Sequence, residues 1–161
     1  MAKLNLLIAL MFLALLSGCA SNPSRGTLAG GEPASHAGRP GIGELVVSNA
    51  LARVGTPYRY GGSGPDSFDC SGLVQYAYSK AGLDVPRTTG AQLQAARRVR
   101  VESLRPGDLL FFNIEGKVSH VALYTGDSRF VHAPSSGKSV SIAGLDNPYW
   151  RSRLVAAGRL H

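Results

Sequence analysis

Three things are scarce in this chain: acidic side chains, cysteine and long apolar runs. Asp and Glu total 10 against 17 Lys and Arg, a net +7 at pH 7 with a pI near 9.9. That balance points to an anionic partner, such as nucleic acid, an acidic membrane face or an acidic polymer. All charged types together reach 17% of 161 residues, too few for a disordered polyelectrolyte. The 2 cysteines close at most one disulfide, which excludes a stapled mini-scaffold. No apolar run reaches the roughly 20 residues of a membrane-spanning helix, and no segment repeats. What remains is enough for one domain with one core: 44% apolar residues, 7% aromatic, with 20 Gly and 9 Pro to supply turns.

The amino terminus reads as an address. Met1 to Leu16 carries one cation, Lys3, followed by an apolar stretch from Leu4 broken only by Asn5. About thirteen residues at about 1.5 Å each make roughly 20 Å of helix, short of the roughly 30 Å hydrocarbon core. A charged start, a short apolar stretch and small residues at its end describe a secretory signal rather than a spanning helix. Leu16-Ser17-Gly18-Cys19 resembles the bacterial lipobox, whose cysteine receives a diacylglyceryl group and becomes the first residue after cleavage. Ala20 stands where inner-membrane retention signals carry Asp, so this resemblance implies an outer-membrane lipoprotein. Several acyl chains, at about 0.8 kcal/mol per buried methylene, anchor firmly where one does not. The expected divisions are therefore a signal peptide at 1–18, lipidated Cys19 with a flexible Ser/Gly/Pro-rich tether at 19–43, and a folded domain at 44–161. Export disfavours nucleic acid as the partner and leaves Cys70 as the single thiol of the mature chain.

Within the domain, apolar residues recur at helical spacing over Glu44 to Val54, and again from Asp69 to before Gly82. In the second segment Cys70, Leu73, Val74, Ala77, Tyr78 and Ala81 form one continuous face. Thr88 or Thr89 caps a third helix, Ala91 to about Arg97. After Pro106-Gly107 the period changes to that of short strands: Asp108 to Asn113, Val118 to Thr125, Arg129 to Ala133, Ser139 to Ala143 and Leu154 to Arg159. Helices first and an antiparallel sheet afterwards is an α+β pattern.

Cys70 opens its helix, with Asp66, Ser67 or Asp69 as the cap. Unpaired N–H groups and the positive end of the helix dipole stabilise a thiolate there, although a lone cysteine on an apolar helix face is ordinarily a core residue. His120 and His132 lie on predicted strands. A three-residue hairpin turn, Gly126-Asp127-Ser128, sets His132 opposite Ala122 and diagonal to His120 on one face, roughly 7 Å away; a two-residue turn puts the rings on opposite faces. A thiol, an imidazole to take its proton and a second polar group to orient that imidazole make a nucleophilic set. A zinc site is the competing use of these side chains, but they lack the close pairing of compact zinc motifs.

Several motifs bring a family into view. Asp69-Cys70-Ser71-Gly72-Leu73-Val74-Gln75-Tyr76 resembles the nucleophile motif of the NlpC-type cell-wall peptidases. Gly55-Thr56-Pro57-Tyr58-Arg59-Tyr60-Gly61-Gly62 resembles the segment that precedes it in the family. Pro86-Arg87-Thr88-Thr89, Leu104 to Leu109, Ser119 to Tyr124 and Phe130-Val131-His132-Ala133 match further family motifs in order. The resemblance implies a papain-like fold, with Cys70 as nucleophile, His120 as general base and acid, and His132 orienting it. It implies Tyr58 near the oxyanion, Asp69 and Ser71 against the substrate, and Arg87 pairing with a substrate carboxylate. Murein peptides containing D-residues and diaminopimelate are the implied substrate, a polymer whose free carboxylates suit a basic protein. No metal or organic cofactor is required by that chemistry. An amidase or acyltransferase on the same scaffold, or a silent murein-binding or assembly lipoprotein, are the alternatives.

Overall fold

Where apolar residues recur at helical spacing the chain forms helices, and where the period falls to two it forms strands. The computed structural model describes residues 40–114 and 116–161; the expected signal peptide, Cys19 and nearly all of the tether lie outside them. Helix α1, Ile42–Leu51, buries Val46, Val47 and Ala50. Helix α2, Cys70–Lys80, buries Leu73, Val74, Ala77 and Tyr78. The Asn49 amide bridges the two by donating to the Ala77 carbonyl at 3.1 Å. Of the three candidate caps for α2, Asp69 is the one used: its Oδ1 accepts from the Gly72 N–H at 2.7 Å.

Helix α3, Thr89–Ala95, is capped by the Thr88 hydroxyl. It ends before Arg97, short of the expected boundary, because Arg97–Val99 is captured as strand β1 by pairing with β6, Leu154–Arg159. Val101–Ser103 forms a single 3₁₀ turn. The remaining strands are β2, Leu109–Ile114; β3, Lys117–Gly126; β4, Arg129–His132; and β5, Ser141–Gly144. Among the described residues they form one antiparallel sheet in the order β1-β6-β2-β3-β4-β5.

Alternation along the strands divides the sheet into two apolar faces. Leu109, Phe111, Val121, Leu123 and Val131 pack with the helices, whereas Leu110, Phe112, Ala122 and Phe130 form a second cluster with Trp150 and Leu154. Trp150 belongs to a one-turn helix, α4, Pro148–Arg151. A buried ion pair joins the start of β2 to the end of β6, with Arg159 donating to Asp108 at 2.6 and 2.7 Å.

Two bulges set the registers that matter. Leu123 faces Val131 and Tyr124 faces Phe130, as a three-residue turn requires, but Gly126 faces Arg129. The turn itself is therefore two residues, Asp127-Ser128, both at positive φ, and Thr125 is bulged between the paired residues. The extra residue sits in the strand instead of the turn, and the one-face consequence for His120 and His132 holds. The second shift lies between Phe112, paired with His120, and Asn113, paired with Val118, which leaves Ser119 unpaired.

Candidate active site

Cys70 is half-buried at the first position of α2, where its own N–H has no intrahelical acceptor. Gly72, two residues on, is where the preceding loop crosses: a Cβ there would collide with the Gly62 carbonyl oxygen. The Cys70 Sγ lies 3.7 Å from the Thr89 hydroxyl and 3.9 Å from the Ser119 carbonyl oxygen.

The sheet brings the two imidazoles into contact, their side chains closing the diagonal separation of the strands. His120 Nε2 and His132 Nδ1 are 2.9 Å apart, with ring centroids at 5.1 Å and planes nearly perpendicular. That contact occupies His120 Nε2 and leaves Nδ1 as the nitrogen available to the thiol. For Nδ1 to hold a lone pair, Nε2 carries the proton and donates it to His132 Nδ1. Both rings share the sheet face of Phe112 and Phe130, opposite the face against which α2 packs. The helix bearing Cys70 packs on the sheet as the resemblance implies, but on the face opposite the two imidazoles. Cys70, His120 and Ser119, the residue bulged near the start of β3, line one cavity of about 590 Å³.

Burial governs the protonation of this pair. It pushes His120 down to about 4, and burial, then the neighbouring His120 and Lys138 charges, push His132 down to about 3. Both rings are neutral at pH 7. Trp150 helps to cover the pair: its indole stacks on His120 (5.5 Å, 28°) and meets His132 edge-on (4.8 Å, 87°), with Phe112 and Phe130 also against the rings. Sequence inspection missed Trp150. One turn of helix shows no period, but Asn147 followed by Pro148 is a cap-and-first-turn signature that marks its start.

On the other flank of Cys70, a second cavity of about 510 Å³ is lined by Tyr58, Asp69, Ser71, Arg87, Thr89 and Lys117, among others. Arg87 does not stand open to a substrate carboxylate. Its Nη1 donates to Asp69 Oδ1 at 2.9 Å and to the Ser71 hydroxyl at 3.0 Å, while Nη2 donates to Asp69 Oδ2 at 2.7 Å and to the Gly62 carbonyl at 3.2 Å. A carboxylate already beside the guanidinium takes the bidentate site first. Burial by itself raises the Asp69 carboxyl, but the Arg87 and Gly72 hydrogen bonds outweigh it and hold the group below the ordinary range. Gln92, another residue without a sequence signal, is fully buried and donates to the Ser71 and Pro86 carbonyls at 3.0 and 2.8 Å. It thereby ties the start of α2 to the Arg87 segment. Tyr58 lines both cavities. Burial, then the neighbouring Cys70 and Asp69, raise its hydroxyl further, so it stays a donor. Among the described residues no cluster of three or more His, Cys, Asp or Glu is arranged to hold a metal ion.

The NlpC/P60 family profile matches residues 55–159. The bifunctional muramidase/DL-endopeptidase CwlT of Bacillus subtilis is 41% identical over 121 residues, covering 73% of this chain and 36% of that protein. The murein DD-endopeptidase MepH of Escherichia coli is 36% identical over 123 residues, covering 73% of this chain and 45% of its own. Among solved structures, an NLP/P60-family protein of Staphylococcus aureus described as similar to lipoprotein superposes with a TM-score of 0.67 at 37% identity, covering 74% of this chain and 41% of that one. The chain spans less than half the length of each of these three proteins.

Proposed function

Since the chain belongs to the NlpC/P60 family and carries its papain-like α+β fold, we propose that it is a murein endopeptidase. In this reading it is a thiol hydrolase that cleaves amide bonds in diaminopimelate-containing stem peptides or cross-links. The observation that carries this reading is the 2.9 Å His120–His132 contact with Cys70 and His120 in one cavity, because acyl transfer to sulfur needs a thiol, a base and an orienter in that sequence.

The chemistry follows from the geometry. His120 Nδ1 takes the thiol proton, and Sγ attacks the scissile carbonyl carbon. The resulting oxyanion accepts hydrogen bonds from the Cys70 N–H and the Tyr58 hydroxyl, donors of a kind worth about 3 kcal/mol each in the transition state. While the Nδ1 proton is held, the Nε2–H of His120 keeps donating to His132, which prevents the ring from turning. Collapse of the tetrahedral species expels the amine with the proton from His120. Water, deprotonated by the same nitrogen, then hydrolyses the thioester and frees Cys70. Asp69, kept ionised by Arg87, receives a free amino group of the substrate, and Ser71 lies beside it.

The mature protein in this proposal is held at the periplasmic face of the outer membrane by acylated Cys19. The support is the Leu16-Ser17-Gly18-Cys19 sequence with Ala20 after it. Two experiments test the whole. Cys70→Ala protein incubated with purified sacculi is expected to release no muropeptides while keeping its fold by circular dichroism; continued release overturns the nucleophile. Cys19→Ser protein is expected in the soluble periplasm, and its sedimentation with membranes overturns the anchor.

A further inference from the structure

The two cavities flanking Cys70 differ in which charged groups line them, Asp69, Arg87 and Lys117 in one and Lys138 in the other, and the direction of the reaction tells which takes which half of the substrate. The amine leaves with a proton from His120, so the leaving group must lie on the side where His120 lines the wall. The acyl half then occupies the other cavity, where Asp69 is the one carboxylate among the lining residues. Among the described residues the His120 cavity has no acid in its wall. Its single permanent charge is Lys138, beside Tyr58, Ser135, Asn147 and Tyr149.

The Lys138 backbone is held in place, while its side chain is exposed. Its N–H donates to the Ser135 carbonyl at 3.1 Å, and its own carbonyl accepts from the Tyr58 N–H at 2.8 Å. The following residues continue this ladder, with the Val140 N–H donating to the Thr56 carbonyl at 2.8 Å and the Gly55 N–H to the Val140 carbonyl at 2.9 Å. The loop that bears the ammonium is thus fastened to the strand-like segment that bears the Tyr58 hydroxyl. Lys138 also enters none of the ion pairs seen among the described residues, which are Arg87–Asp69, Arg100–Glu102 and Arg159–Asp108. A cation at the wall of a cavity where no described residue supplies an acid is a receptor for an anion.

We infer that the His120-side cavity is a subsite for a free carboxylate carried by the leaving amine, and that Lys138 is the residue that reads it. The inference rests on the endopeptidase reading and adds to it a requirement on the amine half: an amino acid or peptide whose carboxylate lies within a lysine's reach of the departing nitrogen. Asp69 for a substrate cation on one side and Lys138 for a substrate anion on the other would then fix the orientation of a zwitterionic peptide across Cys70.

The test uses two synthetic murein peptides, identical except that the leaving residue ends in a free carboxylate in one and a carboxamide in the other. Charge-assisted hydrogen bonds of this kind translate to roughly tenfold in affinity. Wild-type protein is expected to show a KM roughly tenfold lower for the carboxylate peptide. Lys138→Ala is expected to raise that KM to the carboxamide value, Lys138→Arg to retain the preference, and Lys138→Glu to reverse it. A preference that survives Lys138→Ala, or no preference in the wild type, overturns the subsite while leaving the endopeptidase reading intact. Hydrolysis of neither peptide by wild-type protein, with sacculi also untouched, overturns both.

Discussion

The two flanks of Cys70 solve opposite electrostatic problems. On one, Asp69 is nearly buried yet ionised, because Arg87, the Gly72 and Gly61 amides and the Ser71 hydroxyl all donate to it. On the other, His120 and His132 are buried and neutral, because aromatic walls take away the water that would solvate a charge, and no carboxylate of the described residues replaces it. A buried acid is kept charged by pairing and a buried base is kept free by desolvation. The nucleophile lies where these environments meet, so each flank can be broken separately.

The largest expected effect comes from the imidazole flank. His120→Ala removes the base and is expected to lower kcat/KM on a murein peptide by about a thousandfold, and to slow iodoacetamide alkylation of Cys70 near pH 7. An unchanged alkylation rate contradicts the role of base. The largest effect on the acid flank is on stability. Asp69→Ala removes the α2 cap and strands Arg87 without its partner, an expected loss of about 2–3 kcal/mol in urea unfolding. Adding Arg87→Ala is expected to cost less than the two single changes together, since one network is being removed twice.

Acid separates the flanks next. Burial holds His120 at about 4 and His132 at about 3, below the ordinary imidazole value of about 6.5 that an unfolded chain has. Between those values the unfolded state binds protons that the folded state refuses. Folded stability is therefore whole above about 6.5 and declines as pH falls toward about 4, by at most about 1.4 kcal/mol per pH unit for each ring. Urea titrations at pH 7 and pH 5 measure this, and His120→Ala protein is expected to show a shallower decline. The acid limb of kcat/KM should likewise lie near 4, where His120 Nδ1 loses its lone pair. Asp69, whose carboxyl is held below the usual range, sheds its charge only at the acid side of the range in which unfolded histidines titrate. The smallest change is Trp150→Ala, which readmits water to the imidazoles and is expected to move the acid limb up toward the unperturbed value by about one pH unit. A limb that does not move shows that the indole is not what desolvates them.

Much of this was legible before any coordinates. Period, cap and turn residues located α2 with Cys70 at its head, and they set His120 and His132 on strands, because these are properties of neighbouring residues. The pairing of Arg87 with Asp69 was not legible: nothing in Pro86-Arg87-Thr88 tells whether a guanidinium meets a substrate or an acid eighteen residues earlier in the chain. Trp150 escaped for a related reason, since its one-turn helix matters through what it covers and not through any pattern of its own.

The amino-acid sequence by itself determined the α+β order, the nucleophile-like setting of Cys70 and the family to which the chain belongs, all of which are written in local spacing. Only the tertiary structure decided that the two histidines touch and that Cys70 and His120 line one cavity beside the bulged start of a strand. Both depend on bulges at Ser119 and Thr125. A bulge is chosen by which residues on two distant strands find hydrogen-bond partners, and a one-residue slip reverses every side chain's face. No run of neighbouring residues carries that information.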